Sequence, residues 1–380
     1  GLTELGVPVF GSANYWFYSP DSLNPLVPND PDVGPEDCDI VVVPYTWPLE
    51  QVGDAIRGNL RVIRRPLPAP VLKQGRRWQT VFFDFHDGYR TVSWEKEFRV
   101  FDQVFRCKYN SRVPHPENHR PWQLGFSNRV LMALGKHVEF SARRPDLLVN
   151  FGASHPWEHG CRRLARQRLV PRFCGILRID SRKDDLAVPP SDPTERLMWA
   201  QTQRRHSQAY YDRLRSAVAC ACFCGEIVPP APHDPGPLLE GGNRAKLRRW
   251  FWSAARIFDP RQDRIIQWDS WRFWEALAAG TVAIHVDLEA YGVALPVMPM
   301  NWEHYIGVDL RRPKAAIDRI MDEPDCLERI GKQGRAWALE HYAPKAVAQR
   351  FLNLLGFSVR NVGVTAGQQQ ERGPRRACER

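Results

Sequence analysis

The stretch that decides the fold is Ser270–Val286, which reads SWRFWEALAAGTVAIHV. Its first part has the apolar spacing of a buried helix, and Gly280 ends that helix because glycine tolerates the left-handed conformation of a helix C-cap. The residues that follow, Thr281–Val286, are mostly apolar and β-branched, and they predict a strand. A helix that packs directly onto a strand through alanine side chains is the core step of a βαβ unit.

Short apolar runs elsewhere predict further strands. They are Asp39–Val43, Thr80–Asp84, Asp146–Gly152 and Ala217–Phe223. Continuous runs of this kind suit strands that are buried on both faces of a parallel sheet. Helices are predicted between these strands, and three more close the chain at 315–321, 327–340 and 346–355. The repeated βα units predict an α/β fold with two Rossmann-like domains.

The length of 380 residues allows two domains at roughly 150 residues each. We place the N-terminal domain at 1–143 and the C-terminal domain at 144–357. Asp39–Val43 is interpreted as the second strand of its domain, so the first strand is expected to be missing. Residues 358–380 are rich in Gln, Gly and Arg without an apolar period, which predicts a disordered basic tail.

The composition is that of a globular protein, with 43% hydrophobic and 25% charged residues. No apolar run reaches the roughly 18–20 residues that a membrane span requires. The formal net charge of +10 favours anionic partners, namely nucleic acid, an acidic membrane surface or a phosphorylated small molecule. The charge alone does not choose between these partners.

Nine cysteines is an odd number for a disulfide framework, and a reducing, cytoplasmic compartment is predicted. Cys220, Cys222 and Cys224 alternate, so a strand would place all three on one face. Because no C-x-x-C pair accompanies them, buried structural thiols are favoured over a zinc site. The phosphate-loop patterns of kinases and dehydrogenases are absent from the sequence, which argues against those classes.

The segment Ser270–Ile284 resembles the donor-binding segment of GT-B glycosyltransferases, whose pattern is close to S-x-R-x-x-E-A-x-x-x-G-x-x-x-V/I. The exostosin-like and family-1-type branches are the most similar. Their preceding strand often ends in a Pro-x-Gly turn, whereas this chain reads Cys222-Phe223-Cys224-Gly225 without the proline. The resemblance covers about 145–355. It implies two Rossmann-like domains that face each other across a cleft, with the acceptor side in 1–143 and the nucleotide sugar bound by 144–357.

The resemblance also implies a role for three residues of the motif. Glu275 accepts hydrogen bonds from the ribose hydroxyls, and Arg272 binds the pyrophosphate with its planar fork. Ser270 caps the helix and offers its backbone N–H to a phosphate oxygen. The alternatives are a glutamate that stabilises its own helix, an arginine paired with Asp269 or Glu275, and a serine that only caps.

Further donor-site candidates lie outside the motif helix. Related enzymes often place an arginine that faces the phosphates on the helix after the turn at 152–154, and Arg162 or Arg163 would take that place. Gly225 belongs to the turn before the motif, and Tyr305 is expected to line the donor pocket. The basic run 244–249 could also reach the phosphates, although such runs are usually solvated surfaces.

On the acceptor side, Asp84, His86 and Asp87 stand at the carboxyl end of a predicted parallel strand. His86 or Asp87 could deprotonate an acceptor hydroxyl if the reaction inverts the anomeric carbon, whereas a retaining enzyme would need no base here. The same three residues could instead bind a divalent metal or simply form a hydrogen-bonded turn. The spacing does not distinguish these possibilities.

The leading hypothesis is a cytoplasmic glycosyltransferase that uses a nucleotide-diphosphate sugar as co-substrate, with no tightly bound cofactor or metal. The acceptor would be a carbohydrate, a lipid-linked or a small molecule. Peripheral association with an acidic membrane is compatible with the charge, and no nucleic-acid partner is expected. The main alternative is a non-catalytic basic α/β protein that binds nucleic acid or acidic polysaccharide. A nucleotide-sugar epimerase or a phosphorylase on the same fold is the third hypothesis.

Overall fold

The computed structural model describes most of the chain, and all structural statements below concern those residues. The described ranges are 1–47, 49–52, 61–86, 92–152, 160–182, 188–202, 204, 206–228 and 263–358. The predicted basic tail, apart from residue 358, lies outside them, as do the basic run 244–249 and Asp87.

A four-stranded parallel sheet forms in the first half of the chain, with the order β1-β4-β5-β6. Its strands are β1 (Ile40–Pro44), β4 (Gln79–Asp84), β5 (Gln103–Arg106) and β6 (His119–Pro121). The strand predictions at 39–43 and 80–84 are therefore confirmed within one residue. The strands β2 (Leu49–Val52) and β3 (Arg61–Arg64), which lie between β1 and β4 in the sequence, form a separate antiparallel pair.

A five-stranded parallel sheet forms in the second half, with the order β13-β12-β9-β7-β8. Its strands are β7 (Arg144–Leu148), β8 (Arg178–Asp180), β9 (Ala217–Ala221), β12 (Val282–Val286) and β13 (Ile306–Val308). The short strands β10 (Glu226–Val228) and β11 (Arg264–Ile266) pair antiparallel. Since β7 and β9 are neighbours and the chain winds outward from them in both directions, the order reverses between these two strands.

Helices lie between and after these strands. In chain order they are α1 (Ala69–Leu72), α2 (Asn128–Leu134), α3 (Gly160–Leu164), α4 (Pro193–Gln201), α5 (Gln208–Ser216), α6 (Trp271–Ala279), α7 (Pro313–Asp322), α8 (Cys326–Tyr342) and α9 (Pro344–Leu354). The three helices predicted at the end of the chain are confirmed, with slightly wider bounds. None of the helices in the described ranges is both long and apolar enough to cross a membrane.

Helix α6 is the motif helix, and it lies in the main core of the second half. All of its residues from Phe273 to Ala279 are buried, and Gly280 ends it with a φ of 72°. The strand β12 begins two residues later, as the sequence predicts. Helix α8 packs closely against this unit, because a Cβ atom on Gly331 would lie 2.9 Å from the carbonyl oxygen of Gly280.

The last helix, α9, returns to the first sheet. Phe351 packs against Phe83, Phe105 and Trp122, with ring centroids 5.7–6.4 Å apart. Near its end, the carbonyl oxygen of Leu355 accepts a hydrogen bond from the Gln79 side chain at 2.9 Å. The C-terminal helix therefore packs on the first sheet.

The structure confirms the predicted α/β class with parallel sheets. Whether the two sheets form two separate domains divided at residue 143 stays a prediction, and so does a missing first strand. All cysteines of the described ranges are free. Cys220 and Cys222 are buried as predicted, but the strand ends at Ala221 and Cys224 beyond it is only partly buried.

Candidate functional site

The strand order places the candidate site at the carboxyl ends of β7 and β9. In open parallel α/β sheets, ligands bind in the crevice that opens where the strand order reverses. Two polar segments follow these strands: Asn150–Gly152 comes after β7, and Cys222–Gly225 comes after β9. The N-terminus of the motif helix meets both segments, since Ser270 Oγ donates to the Cys222 carbonyl oxygen at 3.3 Å and Arg272 donates to the Asn150 side chain.

Arg162, on helix α3, reaches across the carboxyl ends of both strands. Its Nε donates to the Phe223 carbonyl oxygen at 3.0 Å and its Nη1 to the Gly152 carbonyl oxygen at 3.2 Å. Its Nη2 also contacts the Cys224 Sγ at 3.2 Å. These contacts fix the guanidinium over the point where the strand order reverses.

Arg272 of the motif helix approaches the same place. Its Nε donates to Asn150 Oδ1 at 2.9 Å, so the amide at the end of β7 orients the guanidinium. Burial lowers the pKa of Arg162, and the positive charge of Arg272 lowers it as well, because the two groups are close. Two cations that repel each other at the mouth of a crevice make a site for an anion with more than one charge.

Arg272 does not form the ion pairs that the alternative interpretation expects. No carboxylate of the described residues lies within ion-pair distance of it. Asp269 instead accepts from the Trp274 indole at 2.5 Å and from the backbone N–H of Leu124 at 2.7 Å. The Arg272 guanidinium therefore keeps donors for a ligand.

Ser270 occupies the N-cap position of the motif helix, as predicted, but its hydroxyl does not cap the helix. The hydroxyl turns to the Cys222 carbonyl instead. The backbone N–H groups of Trp271 and Arg272 have no acceptor among the described residues. An anion at this end of the helix would be favoured by the helix dipole.

Glu275 lies one turn deeper and is 6% exposed. Its two carboxylate oxygens accept from the hydroxyls of Tyr210, at 2.9 Å, and Tyr211, at 3.2 Å. Arg129 in turn donates to the Tyr211 hydroxyl at 3.0 Å. Burial raises the pKa of Glu275, while Tyr210 and Arg129 lower it in part. The predicted ribose role stays a prediction, and the carboxylate has a structural role that the sequence analysis did not include.

Two other predicted donor-site residues, Gly225 and Tyr305, lie in a tight turn and in the core respectively. Gly225 has a φ of 84°, and a Cβ there would lie 2.0 Å from the Ile266 carbonyl oxygen, so only glycine fits this turn. Tyr305 is 1% exposed, and its hydroxyl accepts from the Leu288 N–H at 2.9 Å. Its ring packs edge-on against Phe273. The expectation that Tyr305 lines an open pocket does not agree with this burial, because the side chain is part of the core.

A second polar cluster forms at the carboxyl end of β4 in the first sheet. Asp84 is fully buried and accepts from Arg106 Nη1 at 2.9 Å, and the Ser93 hydroxyl also donates to it. His86 Nδ1 lies 3.0 Å from Asp84 Oδ1. Burial raises the pKa of the Asp84 carboxyl, but Arg106, His86 and Ser93 lower it by more, so that the pKa lies well below its usual range. Asp84 is therefore an ionised acceptor.

This geometry fixes the tautomer of His86. Since the ionised Asp84 can only accept, Nδ1 must carry the proton, which leaves Nε2 as the basic nitrogen. The backbone oxygen of His86 accepts from Arg106 at 2.8 Å, which holds the residue in place. Tyr45 stands edge-on to the imidazole, with ring centroids 5.3 Å apart. Asp87, the other predicted base, lies outside the described residues.

The carboxyl ends of the two sheets are connected. Asp269, which precedes the motif helix, binds the backbone of Leu124 just after β6. Cys107 follows β5 at once, and burial raises the pKa of its thiol, as do the charges of Asp269 and Asp84. The buried Cys107 thiol thus feels the charges of both carboxylates.

Sequence reasoning missed several residues that build these clusters. Asn150 could have been found, because it directly follows a predicted strand. Arg106 and Ser93 lie on a short strand and a 3₁₀ turn without a clear pattern, and only the fold places them against Asp84. Within the described ranges, no three His, Cys, Asp or Glu side chains are grouped so as to hold a metal ion.

No family model matches the chain, and no curated protein matches it in sequence. Solved structures with a similar fold include an alpha-glucosyltransferase (AGT) in complex with UDP, with a TM-score of 0.45, 9% identity, and coverage of 84% of this chain and 82% of that chain. An alpha-glucosyltransferase in complex with UDP-glucose and DNA containing an abasic site has a TM-score of 0.44 and 9% identity over 84% of this chain and 81% of that chain.

Two further neighbours are bacterial. Anabaena HepE in complex with UDP has a TM-score of 0.36 and 10% identity over 74% of this chain and 73% of that chain. A mutant of S. aureus TarM, in complex with Fondaparinux, alpha-GlcNAc-glycerol and UDP, has a TM-score of 0.37 and 8% identity over 75% of this chain and 52% of that chain. Scores and identities of this size describe a distant likeness.

Proposed function

We propose that this protein is a GT-B-type glycosyltransferase that transfers a sugar from a nucleoside-diphosphate sugar to an acceptor hydroxyl. One observation carries the proposal: Arg162, and Arg272 at the N-terminus of the motif helix, both hydrogen-bond to the segments that follow β7 and β9, where the strand order of the second sheet reverses. The two sheets then belong to two Rossmann-like domains, with the acceptor on the side of 1–143 and the donor on the side of 144–357. The exostosin-like character rests on the motif alone.

The diphosphate of the donor would lie against these two guanidinium groups and the free N–H groups of Trp271 and Arg272. Charge-assisted hydrogen bonds of this kind contribute roughly 1.5–3 kcal/mol each. They strengthen as negative charge develops on the leaving phosphate, which is the condition for lowering the barrier of the reaction. The carboxylate oxygens of Glu275 would also accept hydrogen bonds from the ribose hydroxyls, through the lone pairs that do not accept from Tyr210 and Tyr211.

The proposed transfer step uses both clusters. The acceptor oxygen attacks the anomeric carbon while its proton passes to Nε2 of His86, which Asp84 holds in the right tautomer. The bond from the anomeric carbon to the phosphate oxygen breaks, and its electron pair remains on the diphosphate. A base placed in this way supports a single displacement with inversion at the anomeric carbon.

Nucleotide binding tests the proposal directly. UDP, GDP and ADP are titrated into the protein, and both heat and the shift in melting temperature are measured, since a ligand of the native state stabilises it. We expect at least one diphosphate to bind, and we expect Arg272→Gln to weaken its affinity roughly 10- to 100-fold. Arg319→Gln is the matched control. This exposed arginine lies on helix α7, outside the candidate site, and pairs with Glu323.

Two results would contradict the proposal. If no nucleoside diphosphate bound the wild type, the crevice would not be a donor site. If polyanions such as DNA or heparin bound with a steep salt dependence and nucleotide sugars had no effect, the chain would be the basic binding protein of the alternative hypothesis. The absence of a nucleic-acid partner stays a prediction.

A further inference from the structure

Trp271 is an exception on the motif helix. It is 39% exposed, whereas the residues from Phe273 to Ala279 are all buried and Arg272 is half-buried. The indole makes no hydrogen bond and no ring contact with the described part of the chain. An exposed indole at the N-terminus of the motif helix, next to Arg272, offers a flat apolar face to a ligand bound there.

The position of Trp271 limits which part of a ligand it could touch. It is the first residue of the helix and stands between Ser270 and Arg272, so its backbone is part of the proposed diphosphate site. The sugar of a nucleotide sugar is bonded directly to the diphosphate, whereas the base is separated from it by the ribose. Glu275, the proposed ribose ligand, lies one turn further along the same face of the helix, away from the exposed end.

Indole and sugar surfaces are complementary. One face of a pyranose ring is made of C–H groups, while its hydroxyls point outward along the edge. A flat indole with an electron-rich face packs against such C–H groups and excludes water from them, and it leaves the hydroxyls to polar partners. An exposed arginine or serine at this position could not provide that contact.

We propose that Trp271 stacks on the sugar ring of the donor and thereby makes the site prefer a nucleotide sugar to the bare diphosphate. The inference rests on the proposed function, because it assumes a diphosphate beside Arg162 and Arg272. It goes beyond it by naming the residue that recognises the group to be transferred. The motif pattern leaves this position open, so the preference would be a property of this chain.

The experiment compares each diphosphate with its sugar conjugate. UDP, UDP-glucose, GDP and GDP-mannose are titrated calorimetrically into the wild type, Trp271→Ala and Trp271→Phe. We expect Trp271→Ala to lower the affinity for the nucleotide sugar about 3- to 10-fold. The affinity for the parent diphosphate should stay within about twofold of the wild type. Trp271→Phe should recover part of the loss. Trp16→Ala is the matched control, since Trp16 is also exposed (45%) and lies in the N-terminal segment.

The outcomes separate this inference from the proposed function. If the wild type binds a diphosphate and its sugar conjugate, but Trp271→Ala weakens both equally or neither, the stacking role is wrong while the proposed function stands. If neither these four compounds nor ADP binds the wild type, both are wrong. A melting temperature measured for each variant shows that the affinities refer to folded protein.

Discussion

At the scale of single residues, the pair of Asp84 and His86 shows how a buried charge decides which nitrogen can act. Asp84 is held by Arg106 and Ser93, so it stays ionised and accepts the Nδ1 proton of His86. Nε2 of His86 is then the nitrogen that can take a proton from the hydroxyl of an acceptor substrate. A carboxylate with weaker partners would not define the tautomer in this way.

We therefore expect His86→Gln to lower the turnover of a nucleotide sugar by roughly 10²–10⁴-fold. The affinity for the diphosphate and the melting temperature should change little, because the side chain is not part of the core. Steady-state kinetics and calorimetry measure the two effects separately. His137→Gln is the control, as that histidine is exposed on the surface. Unchanged turnover in His86→Gln would remove the base assignment.

For Glu275, the structure changes the expected effect of a substitution from a loss of nucleotide binding alone to a loss of stability as well. Its carboxylate is the common acceptor of two tyrosine hydroxyls, and both tyrosines are buried. A variant that removes the carboxylate leaves both hydroxyls without their acceptor. From the motif alone, the same variant would be expected to weaken nucleotide binding and leave the fold intact.

We expect Glu275→Ala to lower the free energy of unfolding by about 2–4 kcal/mol, the cost of leaving buried polar groups unpaired. Glu275→Gln keeps an acceptor and should cost clearly less. Urea denaturation measures both variants. The ribose role is tested in Glu275→Gln, whose nucleotide affinity should fall while most of the stability remains. Equal stability of Glu275→Ala and the wild type would contradict the buried network.

At the scale of elements, the motif helix is positioned by very close packing. Helix α8 packs on its C-terminal end, because a Cβ on Gly331 would lie 2.9 Å from the Gly280 carbonyl oxygen. A Cβ on Gly334 would lie 3.0 Å from the Leu277 side chain of the motif helix and 2.2 Å from the His304 carbonyl oxygen. A larger side chain would push the two helices apart. Since the N-terminus of the motif helix forms the candidate site, this packing also sets the position of Arg272.

Gly334→Ala should therefore destabilise the protein by about 1–3 kcal/mol, although alanine is normally the better helix residue by about 1 kcal/mol. Chemical denaturation gives the stability. Gly152→Ala is the control, because a Cβ there meets nothing within 4 Å and the backbone φ is not positive. A gain of stability in Gly334→Ala would show that helix α8 is not in close contact with the His304 backbone and the Leu277 side chain.

At the scale of the whole molecule, the last helix joins the end of the chain to the first sheet. Phe351 is buried among Phe83, Phe105 and Trp122, whereas Leu354 on the same helix is 46% exposed. Asp269 adds a polar connection through the backbone of Leu124. Both sheets are thus held in one arrangement by contacts that lie far apart in the sequence.

We expect Phe351→Ala to cost about 3–5 kcal/mol, as large-to-small changes in a core do. Leu354→Ala should cost less than about 1 kcal/mol, because its side chain already meets water. Thermal and urea unfolding compare the two. Similar losses in both variants would mean that the contact with the first sheet contributes little to stability.

Much of the fold could be predicted because its signals are local. The spacing of apolar residues in 270–286 is enough to place a helix, its glycine end and a strand, and all three are found. The short strands β5 and β6 were missed, since three or four residues carry too little pattern. Tyr305 was misplaced for a related reason: whether an aromatic lines a pocket or fills the core depends on what packs over it.

The sequence by itself determined the α/β class, the motif helix and the residue types that could bind a diphosphate, because these depend on neighbours along the chain. Only the tertiary structure decided which of them act together. The reversal of strand order between β7 and β9, the approach of Arg162 to Arg272, and the burial of Glu275 under two tyrosines join residues that are 64 or more positions apart. Such contacts follow from how sheets and helices pack, and no local pattern records them.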